Sequence, residues 1–596
     1  MNPPDRSGQR SPPRWLNLST LFGVLAVIAS IGLFSAGVSS RDRMRDLFGE
    51  TTYYILWLLF LVWFIQFGIF LRSTGFSSKR FLRETWPVLV VALLLTVVTA
   101  AAVPPKFRVL ADEANLASVS RSMVDSKTVY NFTIGKHYYF TFHPVMAELE
   151  KRPMLFPFFA HFFHLARGYD VRNLFLLNLS VLFLLLSSVG ILVRRAFNEA
   201  AFPESGRVWI AAVLLVLLCP IVALTGTSGG FDLFAAVFFG WSFIVLAGFL
   251  KKPTTECFAF LWMNLILLSH TRYESVLFFG IVIVGLSLFR RIEPSLFSRF
   301  AHVYLLTPLA MVPLIFQRMI SGGKFENPPG VPAFAVKHIF MNVKRFFEAI
   351  SDFTYFYPYP NLLLWLSLAL LPVIGIGWFR KHRLSADGEA RPMVLLLLGC
   401  LGVYLLIVLS YYIGDPKHPA SARFFAFPVG ALALVPILAH RMWPKYFNQR
   451  LLLAGSVGMF VMYFPVASQD RFTQSLELIR ETEHSIAYLD RLKTKNVLVI
   501  ADRPGIYTAY QYGATNFEYA NQHKNELLAE LRNHLYTEIV VFQHISYLER
   551  KPRPSEALDP EFVLGVPTSE FQITGAHFLR ISQVEKPGNV TPGRIR

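Results

Sequence analysis

Two adjacent carboxylates, Asp112 and Glu113, stand in "RVLADEANLASVSRSMV" a few residues after a long apolar segment ends, at the head of a run with amphipathic-helix spacing. Acids there favour the positive N-terminal end of a helix, or one of them takes a proton in catalysis. Asp232 in "SGGFDLF" opens a later apolar run and raises the same two readings. Arg272 in "SHTRYES" and Arg423 in "SARFFAF" lie at the ends of apolar runs. Ionisable groups at such depths are costly and usually face a cavity, where a guanidinium grips phosphate as a bidentate fork. The plainer alternative is snorkelling to the interface. Lys151 and Arg152 form a basic pair before Pro153. His161 and His164 share a helix face, but no third ligand follows at zinc-site spacing, so polar packing is the better reading.

What must position these side chains is a set of membrane spans. With 54% hydrophobic and 15% aromatic residues in 596, the chain does not read as a soluble protein. Apolar runs of bilayer length lie near 17–38, 52–71, 85–103, 172–193, 208–226, 231–250, 256–270, 273–289, 300–318, 361–379, 392–413, 424–440 and 451–467, about thirteen in all. The formal charge of +18 is spread in short clusters between these runs rather than gathered on one surface, which argues against a nucleic-acid partner. Cys219, Cys257 and Cys400 lie in or beside apolar runs and read as buried, inert thiols.

Clusters at Arg6/Arg10/Arg14, Lys79/Arg80/Arg83, Arg194/Arg195, Lys251/Lys252, Arg290/Arg291, Arg380/Lys381/Arg383 and Arg441/Lys445 fall between alternate spans. All share one side if the N-terminus is cytoplasmic. The loop 104–171, the turns bearing Asp232, Arg272 and Arg423, the loop 319–360 and the tail 468–596 are then external. The first span is long for a signal-peptide core and reads as an uncleaved helix. Two external segments, "RPMLFPFFAHFFHLARG" and "AVKHIFMNVKRFFEAISDF", are expected to lie at the interface. Within the tail, 475–585 alternates strand-like and helix-like stretches and reads as a small α/β domain, with Asp502 as a turn residue and no phosphate-loop or nucleophile-elbow motif. Residues 1–14 and 585–596 read as disordered.

The acidic pair in the first large external loop, then "KRPMLFPFFAHFFHLARGYD", "LVRRAF", an "FD" opening the next external helix, and "ARFFAFPVGALAL" late in the chain form a recognisable series. It resembles the integral-membrane glycosyltransferases of the GT-C superfamily, in the branch of protein O-mannosyltransferases and lipid A aminoarabinose transferases. The resemblance covers roughly residues 85–440. It departs from that branch in placing three spans, not one, before the acidic loop; residues 1–84 are then an addition or mark another subfamily. The implied fold is a helical polytopic membrane protein with a catalytic region at 85–467 and an external α/β domain at 468–596.

The implied activity is inverting transfer of a hexose or pentose from a polyprenyl-phosphate-linked donor to a lipid, glycan or protein acceptor, on the outer face of a bacterial inner membrane. Asp112 is then the general base, Glu113 a second acid or an acceptor-orienting group, and Asp232 matches the family's second acid. Arg272, Arg423, Lys151 and Arg152 would bind the donor phosphate. No cofactor is required, although a divalent ion at Asp112 and Asp232 stays open, since metal-dependent relatives exist in the superfamily. The rival class is a transporter or lipid flippase. That class predicts inverted repeats and midplane charges, and the sequence offers no repeat and few acids inside the spans.

Overall fold

The computed structural model of the chain describes residues 25–33, 35, 41–138, 141–198, 207–297, 299–324, 330–383 and 390–586. Most of the expected first span, residues 1–14, and all but 585 and 586 of the stretch 585–596 expected to be disordered lie outside the described residues.

After the helical stretch 25–33 come two long apolar helices, α1 (Arg41–Ser73) and α2 (Ser78–Ala102). Leu58, Leu61, Phe64, Leu93, Leu94 and Val97 stand exposed along them. A continuous apolar surface of this kind belongs in lipid, where a helix satisfies its own backbone groups. An extramembrane segment follows: α3 (Leu110–Asp125), the hairpin β1 (Tyr130–Tyr138) and β2 (Thr141–Leu149), and α4 (Leu155–Arg167). The chain then returns through α5 (Arg172–Asn198), α6 (Val208–Leu217), α7 (Pro220–Gly226), α8 (Asp232–Lys251), α9 (Thr255–Ser269), α10 (Ser275–Leu288) and α11 (Val312–Lys324). After α12 (Val336–Ile350) come α13 (Asn361–Arg383), α14 (Ala390–Ser410), a series of short helices across Pro419–Met442, and α15 (Gln449–Gln469).

The protein is an integral membrane protein. Among the described residues seven helices are long and apolar enough to cross a bilayer, and α6 with α7 makes an eighth bent by 74°. Of the remaining expected spans, 256–270, 273–289 and 361–379 are shorter apolar helices, and 300–318 is broken into three pieces. Pro308 and Pro313 sit in that broken stretch, and each removes an N–H donor that a continuous helix needs. Pro220 acts likewise in the bend before α7, and it turns the segment 227–230 towards α3.

The extramembrane region continues with α16 (Glu477–Arg491), β3 (Val497–Ile500), α17 (Pro504–Ala509), β4 (Gly513–Thr515), α18 (Lys524–Arg532), β5 (Glu538–Ser546), β6 (Ser569–Gln572) and β7 (His577–Gln583). Its sheet has seven strands in the order β2-β1-β4-β3-β5-β7-β6. Central β3 runs parallel to β4 on one side and to β5 on the other. The expected boundary at 468 does not divide this sheet, because the loop hairpin supplies two of its strands. β1 meets β4 at Gly135 opposite Ala514, Lys136 binds Glu526 (2.5 Å) and Glu530 (2.9 Å), and Tyr138 donates to Glu530 (2.5 Å).

The two expected interfacial helices differ in fate. Helix α4 is largely buried, with Phe158 and His161 in an aromatic cluster with Trp57, so packing rather than the lipid surface holds it. Helix α12 exposes Val336 and Phe340 while Arg345 reaches Asp415 (2.6 Å), which is the two-faced arrangement of an interfacial helix.

Candidate active site

The adjacent acids of α3 separate as soon as the helix forms, since neighbouring residues on a helix point about 100° apart. Glu113 turns back over the start of its own helix. Its Oε2 accepts from the backbone N–H of Arg108 (2.5 Å) and Val109 (3.0 Å), and its Oε1 accepts from Gly229 N–H (3.1 Å). The first two bonds satisfy backbone donors at the start of the helix, the work of a cap, and the third ties that start to the segment before α8. Gly229 is needed for the approach, because a Cβ there would meet the Phe107 ring at 2.7 Å. Burial pushes the Glu113 carboxyl up, against the pull of the two N–H groups at Arg108 and Val109.

Asp112 has no capping contact and faces two arginines instead. Arg152 donates from Nη2 to its Oδ1, and Arg423 donates from Nη2 to its Oδ2. Burial alone would raise the Asp112 carboxyl, but these two guanidinium groups outweigh it and hold it at about 2. Arg423 continues to Asp232, its Nε lying 3.4 Å from Oδ2. Asp232 also receives Arg272, whose Nε in turn binds Glu274. Carboxylates and guanidinium groups therefore alternate from Glu150 through Arg152, Asp112, Arg423, Asp232 and Arg272 to Glu274.

The positions of these residues follow from local structure. Asp112 is in the first turn of α3 and Asp232 is the first residue of α8. Arg272 sits in the tight turn between α9 and α10, stacked over Phe424 at 5.0 Å. Arg423 occupies a 3-10 turn where the apolar run of Pro419–Met442 begins. Arg152 precedes α4, and Glu150 orders its approach by accepting from Arg152 Nη1 (2.5 Å) and from Asn115 (2.7 Å) on α3. Lys151 is beside them, half-buried. Burial and the Arg152 charge bring it down to about 8, against Asp112 and Glu150.

From this polar centre a cleft of about 380 Å3 opens along Asp232, Arg272 and Arg423 to Phe239, Phe278, Tyr404 and Phe427. One end is ionic and the rest apolar, which suits an amphipathic anion.

The structure thus brings Asp112, Asp232, Arg152, Arg272 and Arg423 together, with Lys151 adjacent. Glu113 is next to them in sequence but directed at backbone N–H groups. Sequence reasoning did not single out Glu150, although a carboxylate directly before a basic pair is visible in "ELEKRP". His164 hydrogen-bonds Ser120 (2.9 Å) and Asn173 (2.8 Å), and His161 the carbonyl of Phe158. Among the described residues no group of three or more His, Cys, Asp or Glu is placed to hold a metal ion. The Asp112–Asp232 pair has Arg423 between its carboxylates, where a shared cation would have to sit.

Fold and site together define an integral membrane protein with an ion-paired centre at the mouth of an apolar cleft. No protein-family model matches the chain, and no curated protein sequence matches it significantly. Among solved structures it is similar to ArnT from Cupriavidus metallidurans bound to undecaprenyl phosphate, at 13% identity and a TM-score of 0.49, over 86% of this chain and 100% of that chain. The apo structure of the same ArnT gives 12% identity and a TM-score of 0.38, over 85% and 98% of the two chains.

Proposed function

We propose that this chain is a GT-C-type glycosyltransferase that moves a sugar, with inversion, from a polyprenyl-phosphate donor to an acceptor hydroxyl or amine on the non-cytoplasmic face. The observation that carries this reading is the Asp112 carboxylate gripped by Arg152 and by Arg423, which itself lines the ionic end of an apolar cleft. The cleft suits a lipid chain, and the paired guanidinium groups suit its phosphate.

In this reading Asp112 holds the place that the donor phosphate takes. A carboxyl held at about 2 is a poor acceptor for a proton at neutral pH, because catalytic bases work best near the operating pH. When phosphate draws Arg152 and Arg423 to itself, Asp112 loses its counter-charges and becomes more basic. The acceptor oxygen or nitrogen attacks the anomeric carbon from the face opposite the phosphate. Asp112, displaced from the two guanidinium groups by the phosphate, turns to the acceptor side and takes its proton, the bond from the anomeric carbon to the phosphate oxygen breaks, and polyprenyl phosphate leaves with the electron pair. Arg423, anchored on Asp232, and Arg152, anchored on Glu150, stabilise that developing charge. Lys151 is a third cation within reach of the phosphate. Glu113, in this reading, shapes the helix start that presents Asp112.

The test is transfer by the purified full-length protein in lipid nanodiscs. It is given synthetic polyprenyl-phosphate sugars and an extract of envelope lipids and glycans, and the products are read by mass spectrometry. Mass-shifted products formed by the wild type and missing for Asp112→Asn support the reading, and a chelator arm reports on metal dependence. Unchanged glycans together with altered lipid flipping would overturn it in favour of a transporter.

A further inference from the structure

The extramembrane sheet carries a second crevice, distinct from the cleft at Asp112. In parallel α/β sheets ligands bind outside the carboxyl ends of the strands, where neighbouring connections leave in opposite directions. β3 is that point here, with β4 on one side and β5 on the other. A cavity of about 650 Å3 lies beyond its carboxyl end, lined by Ala501, Asp502 and Arg503 just after β3 and by Glu477 and Glu481 of α16.

The lining favours one ligand chemistry. Tyr507 and Phe542 are stacked at 5.2 Å and contribute an aromatic wall. Around it stand three carboxylates, Glu477, Glu481 and Asp502, and three cations, Arg503, Arg553 and His544. His544 is counted as charged because Glu556 (2.7 Å) and Glu481 (3.2 Å) clasp its two ring nitrogens. Burial alone would lower it, but the clasp raises it to about 9. Glu556, behind His544 and Arg553, adds a fourth carboxylate, so a phosphate is not favoured, and the charges are largely paired with one another. Many fixed donors and acceptors beside an aromatic face suit a neutral polyhydroxylated ring.

The walls of this crevice also touch the segment that carries Asp112. Glu483 of α16 binds Lys106 (3.1 Å), Thr508 of α17 donates to the carbonyl of Phe132 (3.2 Å), and Tyr510 packs on Phe107 at 5.7 Å.

We infer that this crevice binds a neutral sugar unit. Resting on the reading given under Proposed function, that unit is part of the glycan acceptor.

Saturation-transfer NMR on the full-length protein in nanodiscs tests this, with glucose and N-acetylglucosamine as probes and undecaprenyl phosphate added to occupy the transfer cleft. Sugar ring-proton signals are expected, insensitive to millimolar inorganic phosphate. They should fall about tenfold in Asp502→Ala/Arg503→Ala, which removes hydrogen bonds to charged groups. Both of those side chains are exposed. Glu477→Gln, also exposed, serves as a second variant should the first fail to fold. No sugar signal, a signal unchanged in both variants, or displacement by phosphate each overturns the inference. Because the readout is binding, transfer without sugar binding sinks the crevice alone. Sugar binding without transfer sinks only the enzyme reading and, with it, the acceptor assignment.

Discussion

Replacing Asp112 by Asn separates a placeholder carboxylate from an ordinary structural ion pair. The change keeps the shape of the side chain and removes its charge from between Arg152 and Arg423. Removing one partner of a buried pair typically costs about 3–5 kcal/mol. Here Arg152 keeps Glu150 and Arg423 keeps Asp232, so the low end, about 3 kcal/mol, is expected. The ligand-free variant should therefore melt at a lower temperature than the wild type. Affinity for undecaprenyl phosphate should move the other way, because the phosphate no longer displaces a carboxylate. A hydrogen bond to a charged group is worth about 1.5–3 kcal/mol, which corresponds to a roughly 10- to 150-fold lower Kd. Sugar transfer should meanwhile fall by about 10²–10⁴, the usual contribution of a positioned proton acceptor. Scanning fluorimetry with and without the lipid, and a titration of lipid binding, measure the first two quantities. Weaker lipid binding in Asp112→Asn, with unchanged ligand-free melting, would refute the placeholder reasoning. Near-normal transfer would move the base elsewhere, Asp232 being the next candidate.

Arg423→Ala should weaken undecaprenyl phosphate binding by a contact worth about 1.5–3 kcal/mol, read in the same titration. Arg272→Ala should lower stability more, since Glu274 is left without its guanidinium partner, whereas Asp112 and Asp232 each keep another arginine in Arg423→Ala; melting curves of the two variants separate these outcomes. Glu113→Gln should cost about 1–3 kcal/mol of stability, because an amide nitrogen must then face a backbone N–H, while lipid-phosphate binding persists. The His544 clasp raises the imidazole from its ordinary value of about 6.5 to about 9 in the folded state. Its stabilisation is then fully present below about pH 6.5 and lost as pH rises through about 9. Melting temperature should fall over that window in the wild type, and the slope should flatten in His544→Gln.

Much of the site is legible in the sequence because charge is so scarce near apolar runs. Asp232, Arg272 and Arg423 stand out for that reason, and contact among them follows once their helix ends meet on one side. The division of labour between Asp112 and Glu113 is not legible. Both sit in the first turn, and the choice is made by the chain entering α3, whose Arg108 and Val109 N–H groups turn to Glu113, and by the bend at Pro220, which delivers Gly229. Glu150 is hidden by its ordinariness, since acid next to base is a common surface pattern. The strand β1 is missed for another reason. It is buried at six of its nine positions and on both faces, so it lacks the alternation that marks a half-exposed strand. Its partner β4 is only three residues long.

That pairing ties the order of synthesis to the order of assembly. Gly135 leaves the ribosome several hundred residues ahead of Ala514, its partner across the β1–β4 junction. At about 5–20 residues per second, the hairpin waits on the order of half a minute while the intervening spans insert. Throughout that interval β1 presents an open strand edge, a template for unwanted pairing with other chains. Chains interrupted before β4 keep that edge permanently. An unfinished copy therefore keeps an unpaired strand edge beside the membrane, and only a chain translated through β4 covers it.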